Sequence, residues 1–109
     1  MTAFDPPVLC LVTDRRRCAM RPLEDIVAEA VAGGVSAVQL REKGLESARL
    51  FDLAKSLREI TRDRALFFVN GHIDIALAVG ADGVQFAERD LPLAAARRVS
   101  DTRLLLGRS

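Results

Sequence analysis

Five short, mostly apolar runs, each separated from the next by a turn and a segment of helical spacing, constrain this chain most. The runs are residues 8–13 (VLCLVT), 36–41, 66–69, 84–86 and 104–106. Runs of this length fit strands buried on both faces, as in parallel sheets. The segments between them carry apolar residues three and four apart, the period of a one-sided helix. The resulting order, βαβαβαβαβ, calls for an α/β protein whose parallel strands are joined by helical crossovers.

Local signals place the elements. Pro22 can take a first helical position, where its missing N–H costs nothing. Leu23, Ile26, Val27, Ala30 and Val31 form one apolar face, Glu24 and Asp25 favour the helix dipole, and Gly33-Gly34 ends the helix. The second helix repeats at Leu50, Leu53, Ala54, Leu57 and Ile60, with Arg49, Asp52, Lys55, Arg58 and Glu59 expected toward water. Asn70-Gly71 could close a hairpin. The helical set Ile73, Ala76 and Leu77 follows it, so it reads as a strand-to-helix turn. Gly80 to Gly83 ends that short helix, and Pro92 opens a fourth through Ala94, Ala95, Ala96 and Val99.

Composition narrows the class. The 109 residues are half apolar, with five Phe and no Trp or Tyr, so the core is built of Ala, Val, Leu and Ile. Sixteen basic residues meet fifteen acidic ones, which argues against a nucleic-acid footprint or a membrane-surface patch. Arg15-Arg16-Arg17 reads as a local, solvated loop. Cys10 reads as a small buried hydrophobe, and two cysteines without a framework fit a reducing, cytoplasmic compartment. Asp5, Pro6 and Pro7 interrupt any signal-peptide pattern, and no run reaches the roughly 20 apolar residues of a spanning helix.

The informative pattern is positional. Polar residues stand where successive strands end: Thr13 and Asp14, Gln39 and Arg41, Asn70, Gln85, then Ser109. In a parallel α/β sheet those ends share one rim, where ligands bind. The stretch Val38-Gln39-Leu40-Arg41-Glu42-Lys43 is central. Residues two apart share a strand face, so Gln39, Arg41 and Lys43 line one side. Either they meet something anionic, Arg41 as a bidentate phosphate ligand and Lys43 as a point charge, or Arg41 and Lys43 are solvated loop residues around Glu42. Asn70 offers an amide that can donate or accept. Asp90 is either a hard-metal ligand or a helix N-terminal acid before Pro92. His72, the only histidine, sits at a helix start, where a cap or surface residue is the ordinary role. No G-x-G-x-x-G or Walker loop is present, and Ser109 lacks a nucleophile-elbow context. No catalytic residue can be named from these patterns.

These residues resemble the N-terminal half of the thiamine phosphate synthase / TenI family. The matching pieces are Leu11-Val12-Thr13-Asp14, Gly33-Gly34-Val35, Val38 to Lys43, Val69-Asn70, Asp74 to Leu77, Gly80 to Val84, Asp90-Leu91-Pro92 and Gly107-Arg108-Ser109. They fall in the family's order along nearly the whole chain. The resemblance implies a (β/α)8 TIM barrel, of which residues 1–109 would be a partial domain, the first half with about five strands. It implies that Gln39, Arg41, Lys43 and Asn70 contact a pyrimidine diphosphate, with Ser109 nearby. The synthase branch joins a pyrimidine methyl diphosphate to a thiazole phosphate, releasing diphosphate with Mg2+, and Asp90 matches one of its two magnesium-binding aspartates.

Two departures point to the other branch. The synthase pattern has Asn-Asp where this chain has Asn70-Gly71, and His-Leu-Gly-Gln where it has Gln85-Phe86-Ala87-Glu88. The expectation is therefore a TenI-like protein that isomerises a thiazole phosphate tautomer and needs no metal. The alternatives are the Mg2+-dependent synthase, with Asp90 as its ligand, and an inactive remnant or anion-binding module. A barrel needs about 200 residues or more. The chain is therefore expected to be a fragment, a truncated product, or a half whose open strand edges a homo-oligomer or a complementing half covers.

Overall fold

The computed structural model describes residues 9–86, 92, 94, 95, 97 and 104–108. The elements are β1 (Cys10–Val12), a 3-10 turn (Arg15–Arg17), α1 (Leu23–Ala32), β2 (Ala37–Leu40), α2 (Ser47–Thr61), β3 (Leu66–Asn70), α3 (Ile73–Val79), β4 (Gly83–Phe86) and β5 (Leu105–Arg108). Ala94, Ala95 and Arg97 are helical. The rest of the expected fourth helix, apart from Pro92, lies outside the described residues, as do Asp90 and Ser109.

All neighbouring strands pair in parallel, in the order β1-β2-β3-β4-β5. Sequential order without a switch point separates this sheet from a doubly wound one. Right-handed crossovers between successive neighbours put every helix on the same face, which is how a (β/α)8 wall is built. The sheet with its flanking helices is the first half of such a barrel.

Strand alternation then divides the residues. One face carries Val38, Leu40, Phe67, Val69, Val84 and Phe86, each at most 1% exposed. They pack with Val27, Val31, Leu50, Ala54, Leu57, Ile75 and Ala76 in one core cluster. The other face carries Cys10, Val12, Gln39, Phe68, Asn70, Gly83, Gln85, Leu105 and Gly107, as the parallel register requires. No described helix covers it. A Cβ at Gly83 would lie 2.6 Å from the Phe68 ring, so that ring lies over the glycine; the Gln85 side chain lies over Gly107 in the same way.

Three expectations are corrected here. The first strand is not buried on both faces: β1 is an edge strand, Cys10 is exposed and Val12 is 47% exposed. Its apolar composition suits the inward face of a barrel wall, which this sheet leaves open. The arginine run is not a featureless loop but a 3-10 turn, begun by Asp14, whose side chain accepts from the Arg16 N–H. Arg58 does not face water. It is 7% exposed, its Nη1 lies 3.0 Å from Asp82 Oδ2, and its guanidinium lies 5.9 Å from the Phe67 ring centroid. The helical period put Arg58 beside the apolar stripe, and Asp82, fixed at the start of β4, draws it inward.

Candidate functional site at the C-terminal rim

Three of the expected polar residues are held at the carboxyl ends of β1 to β3 by the backbone itself. Thr13 is buried; its N–H donates to the Gln39 carbonyl at 3.0 Å, and its hydroxyl accepts from the Arg41 N–H at 3.0 Å. These two bonds extend the β1–β2 ladder by one side-chain rung and fix where Arg41 leaves the sheet. Asn70 Nδ2 donates to Gln39 Oε1 at 3.1 Å. That bond leaves Gln39 an outward donor amide and Asn70 an outward acceptor oxygen. Gln85 is the register partner of Asn70, so three amide side chains follow one another across the inner face.

Glu42 is the residue that sequence reasoning missed. It was read as a charge between two cations, yet its side chain is only 2% exposed. Its two oxygens accept from the Arg15 N–H at 3.0 and 3.1 Å, and Arg15 Nε lies 3.5 Å away. Arg15 Nη2 also donates to the Lys43 carbonyl at 3.3 Å. Glu42 thus ties the loop after β2 to the loop after β1, 27 residues earlier. Nothing in local spacing announces such a contact; an acid flanked by cations, in a chain with an arginine run, is the only signal.

With Glu42 committed to Arg15, the loop displays Arg41 and Lys43, both exposed. They border two concavities. One of about 430 Å3 is lined by Val12, Thr13, Asp14, Arg16, Arg17 and the 41–43 loop. The other, of about 410 Å3, runs from Arg41 to Leu45 and on to Asn70, Gly71 and His72. His72 precedes α3, is exposed and makes no capping bond, the ordinary surface role. Gly71 has φ +80° in the turn from β3 to α3, a region that glycine enters without a Cβ penalty.

Among the described residues no group of three His, Cys, Asp or Glu side chains could hold a metal ion, and Asp90 lies outside them. At the rim, Glu42 serves Arg15, and Asp14 serves the Arg16 N–H and Arg17, 3.3 Å away. What the rim offers is a donor-rich, cationic surface: two arginine-type forks, an ammonium and an amide pair.

The first half of a (β/α)8 wall, with a cationic rim at the carboxyl ends of its strands, defines the class, and comparison with known proteins narrows it. The family model described as thiamine monophosphate synthase matches residues 9–109. The chain belongs to that family. A thiamine-phosphate synthase of Pyrococcus furiosus is 40% identical over 102 residues, covering 93% of this chain and 47% of the relative. One of Moorella thermoacetica is 47% identical over 88 residues, covering 80% and 42%. The solved structure of thiamine phosphate pyrophosphorylase from Pyrococcus furiosus superposes with a TM-score of 0.85 at 39% identity, over 93% of this chain and 48% of that one. The chain spans about half the length of these relatives.

The comparisons overturn the TenI-like expectation. These relatives are thiamine-phosphate synthases, and none carries an isomerase name. The two departures do not separate the branches. Gly71 occupies a left-handed turn position, which glycine enters without a Cβ penalty and Asp or Asn also enter. Gln85 continues the Gln39–Asn70 amide row, so its polarity fits its place in the sheet without reference to either branch.

Proposed function

We propose that this chain supplies the pyrimidine-diphosphate side of a thiamine-phosphate synthase, which joins hydroxymethylpyrimidine diphosphate to a thiazole phosphate and releases diphosphate. The observation that carries the reading is the convergence of Gln39, Arg41, Lys43 and Asn70 at one rim, in a chain similar to synthases along its length. Arg41 and Lys43 offset the diphosphate charge and favour its departure with the bonding electrons. The Gln39 amide and Asn70 oxygen orient the polar edge of the pyrimidine. In this reading Ser109 serves near the diphosphate. Asp90 and the diphosphate oxygens would hold Mg2+, which would offset charge on the departing diphosphate. Two free thiols fit a reducing, cytoplasmic setting. Among the described residues no helix is long and apolar enough to cross a membrane. The uncovered sheet face calls for a second copy or a complementing half.

Calorimetric titration with hydroxymethylpyrimidine diphosphate, with and without Mg2+, tests the reading. Arg41→Ala is expected to weaken binding by on the order of 1.5–3 kcal/mol, the range for hydrogen bonds to a charged group. An unchanged affinity in the folded variant would reduce Arg41 to a surface charge and overturn the assignment.

A further inference from the structure

The concavity on the β1 side of the loop holds more positive charge than the reading above uses. Its lining brings Arg16 and Arg17 from the 3-10 turn to the same space as Arg41 and Lys43. The arginines of the turn are not equivalent. Arg15 is consumed by Glu42, and Arg17 is paired with Asp14 at 3.3 Å. The Arg16 guanidinium has no carboxylate within 4 Å among the described residues, and neither do the Arg41 and Lys43 side chains.

The Arg16 guanidinium has a defined direction. A Cβ built on Gly44 would lie 3.3 Å from Arg16 Nη2. The side chain therefore crosses from the first rim loop to the second and ends against the backbone just beyond Lys43. Gly44 itself has φ +80°, so the loop turns sharply there and leaves room for that approach. Two elements hold the turn that carries Arg16: the Asp14 side chain accepting from its N–H, and the Arg15–Glu42 clamp on the preceding residue. Three cations without acidic partners, on two loops tied by a buried carboxylate, repel one another unless an anion lies between them.

We infer that Arg16, reaching across from the loop after β1, is a third cationic ligand of the diphosphate beside Arg41 and Lys43. The inference rests on the diphosphate reading and adds a residue to it. Arg16 contributes a planar donor fork that can span two phosphoryl oxygens. The ligand class is a diphosphate or a diphosphate ester, because three cations from two loops line one concavity.

Titration with inorganic diphosphate at fixed ionic strength tests it, using Arg16→Ala, Arg17→Ala and Arg41→Ala. Circular dichroism confirms that each variant is folded, and none of the three side chains is in the core. Arg16→Ala is expected to weaken binding about tenfold, the loss of one charge-assisted hydrogen bond, whereas Arg17→Ala, already paired, changes it less than about twofold. Weakening by Arg41→Ala but not by Arg16→Ala would overturn the role of Arg16 and leave the diphosphate reading standing. Equal weakening by Arg16→Ala and Arg17→Ala would reveal only a diffuse charge effect and overturn it too. No effect from either Arg16→Ala or Arg41→Ala would remove both readings together.

Discussion

Replacing Glu42 by Ala should destabilise the protein far more than its place in an exposed, charged loop suggests. The carboxylate is enclosed and accepts the Arg15 backbone N–H through both oxygens. Its removal leaves that part-buried donor without a partner, which costs about 1–3 kcal/mol. The accompanying ion pair with Arg15 Nε, at 3.5 Å and one-third exposed on the arginine side, adds no more than about 1 kcal/mol. The sum is about 1–4 kcal/mol, and a domain of this size loses roughly 4–8 °C in Tm per kcal/mol. Glu42→Gln keeps one acceptor oxygen but turns an amide donor toward the Arg15 N–H, so it should fall between Ala and the parent. Glu46→Ala is the control, because Glu46 is exposed and makes no side-chain capping bond at the start of α2. Urea unfolding and thermal melts of the three variants decide the matter. If Glu42→Ala were no less stable than Glu46→Ala, the clamp between the two rim loops would carry no energy, and the reasoning that makes it organise the site would fail.

Two further outcomes follow from ion pairs elsewhere. Asp82→Ala should cost about 2–4 kcal/mol, below the full range for breaking a buried pair because Asp82 is 34% exposed, and it strands the buried Arg58 and the Phe67 N–H. Arg58→Met should cost clearly less, since the carboxylate keeps the Phe67 N–H and water; equal losses in urea unfolding would refute the asymmetry. On α1, the hydrogen bond from Arg21 at 2.9 Å holds the Glu29 carboxyl below its ordinary value. A depressed carboxylate stabilises the fold above its unfolded pKa, and that contribution is lost as pH falls through the folded value. Arg21→Ala should return the Glu29 titration, followed by NMR, to the ordinary carboxylate range, and an unmoved midpoint would show that the pair does not form in solution.

Much of the architecture was legible because it is written in local periods. The four-residue spacing of Leu23, Val27 and Val31, and the short runs at Ala37–Leu40 and Leu66–Asn70, are consequences of helix and strand geometry. The alternation of the two elements leaves few topologies open. The turn at Asn70-Gly71 and the left-handed Gly80 that ends α3 are likewise local. At the rim, strand period puts Gln39 and Asn70 on one side of the sheet, whereas Arg41 and Lys43 lie past the end of β2 at Leu40, where that period no longer applies.

What the sequence did not contain was long-range pairing. Arg58 looks solvent-facing until Asp82, 24 residues later, is brought beneath it. Cys10 and Val12 look like core until the strand order makes β1 an edge whose inward face is open. Glu42 looks like surface until the first rim loop closes over it. The sequence by itself determined the βα rhythm, the parallel sheet and the polar residues at the strand ends, because each depends on neighbours a few positions away. Only the tertiary structure decided which charges are consumed in holding the loops and which are left facing the cleft. That division depends on distances between residues far apart in the chain, on which local periodicity is silent.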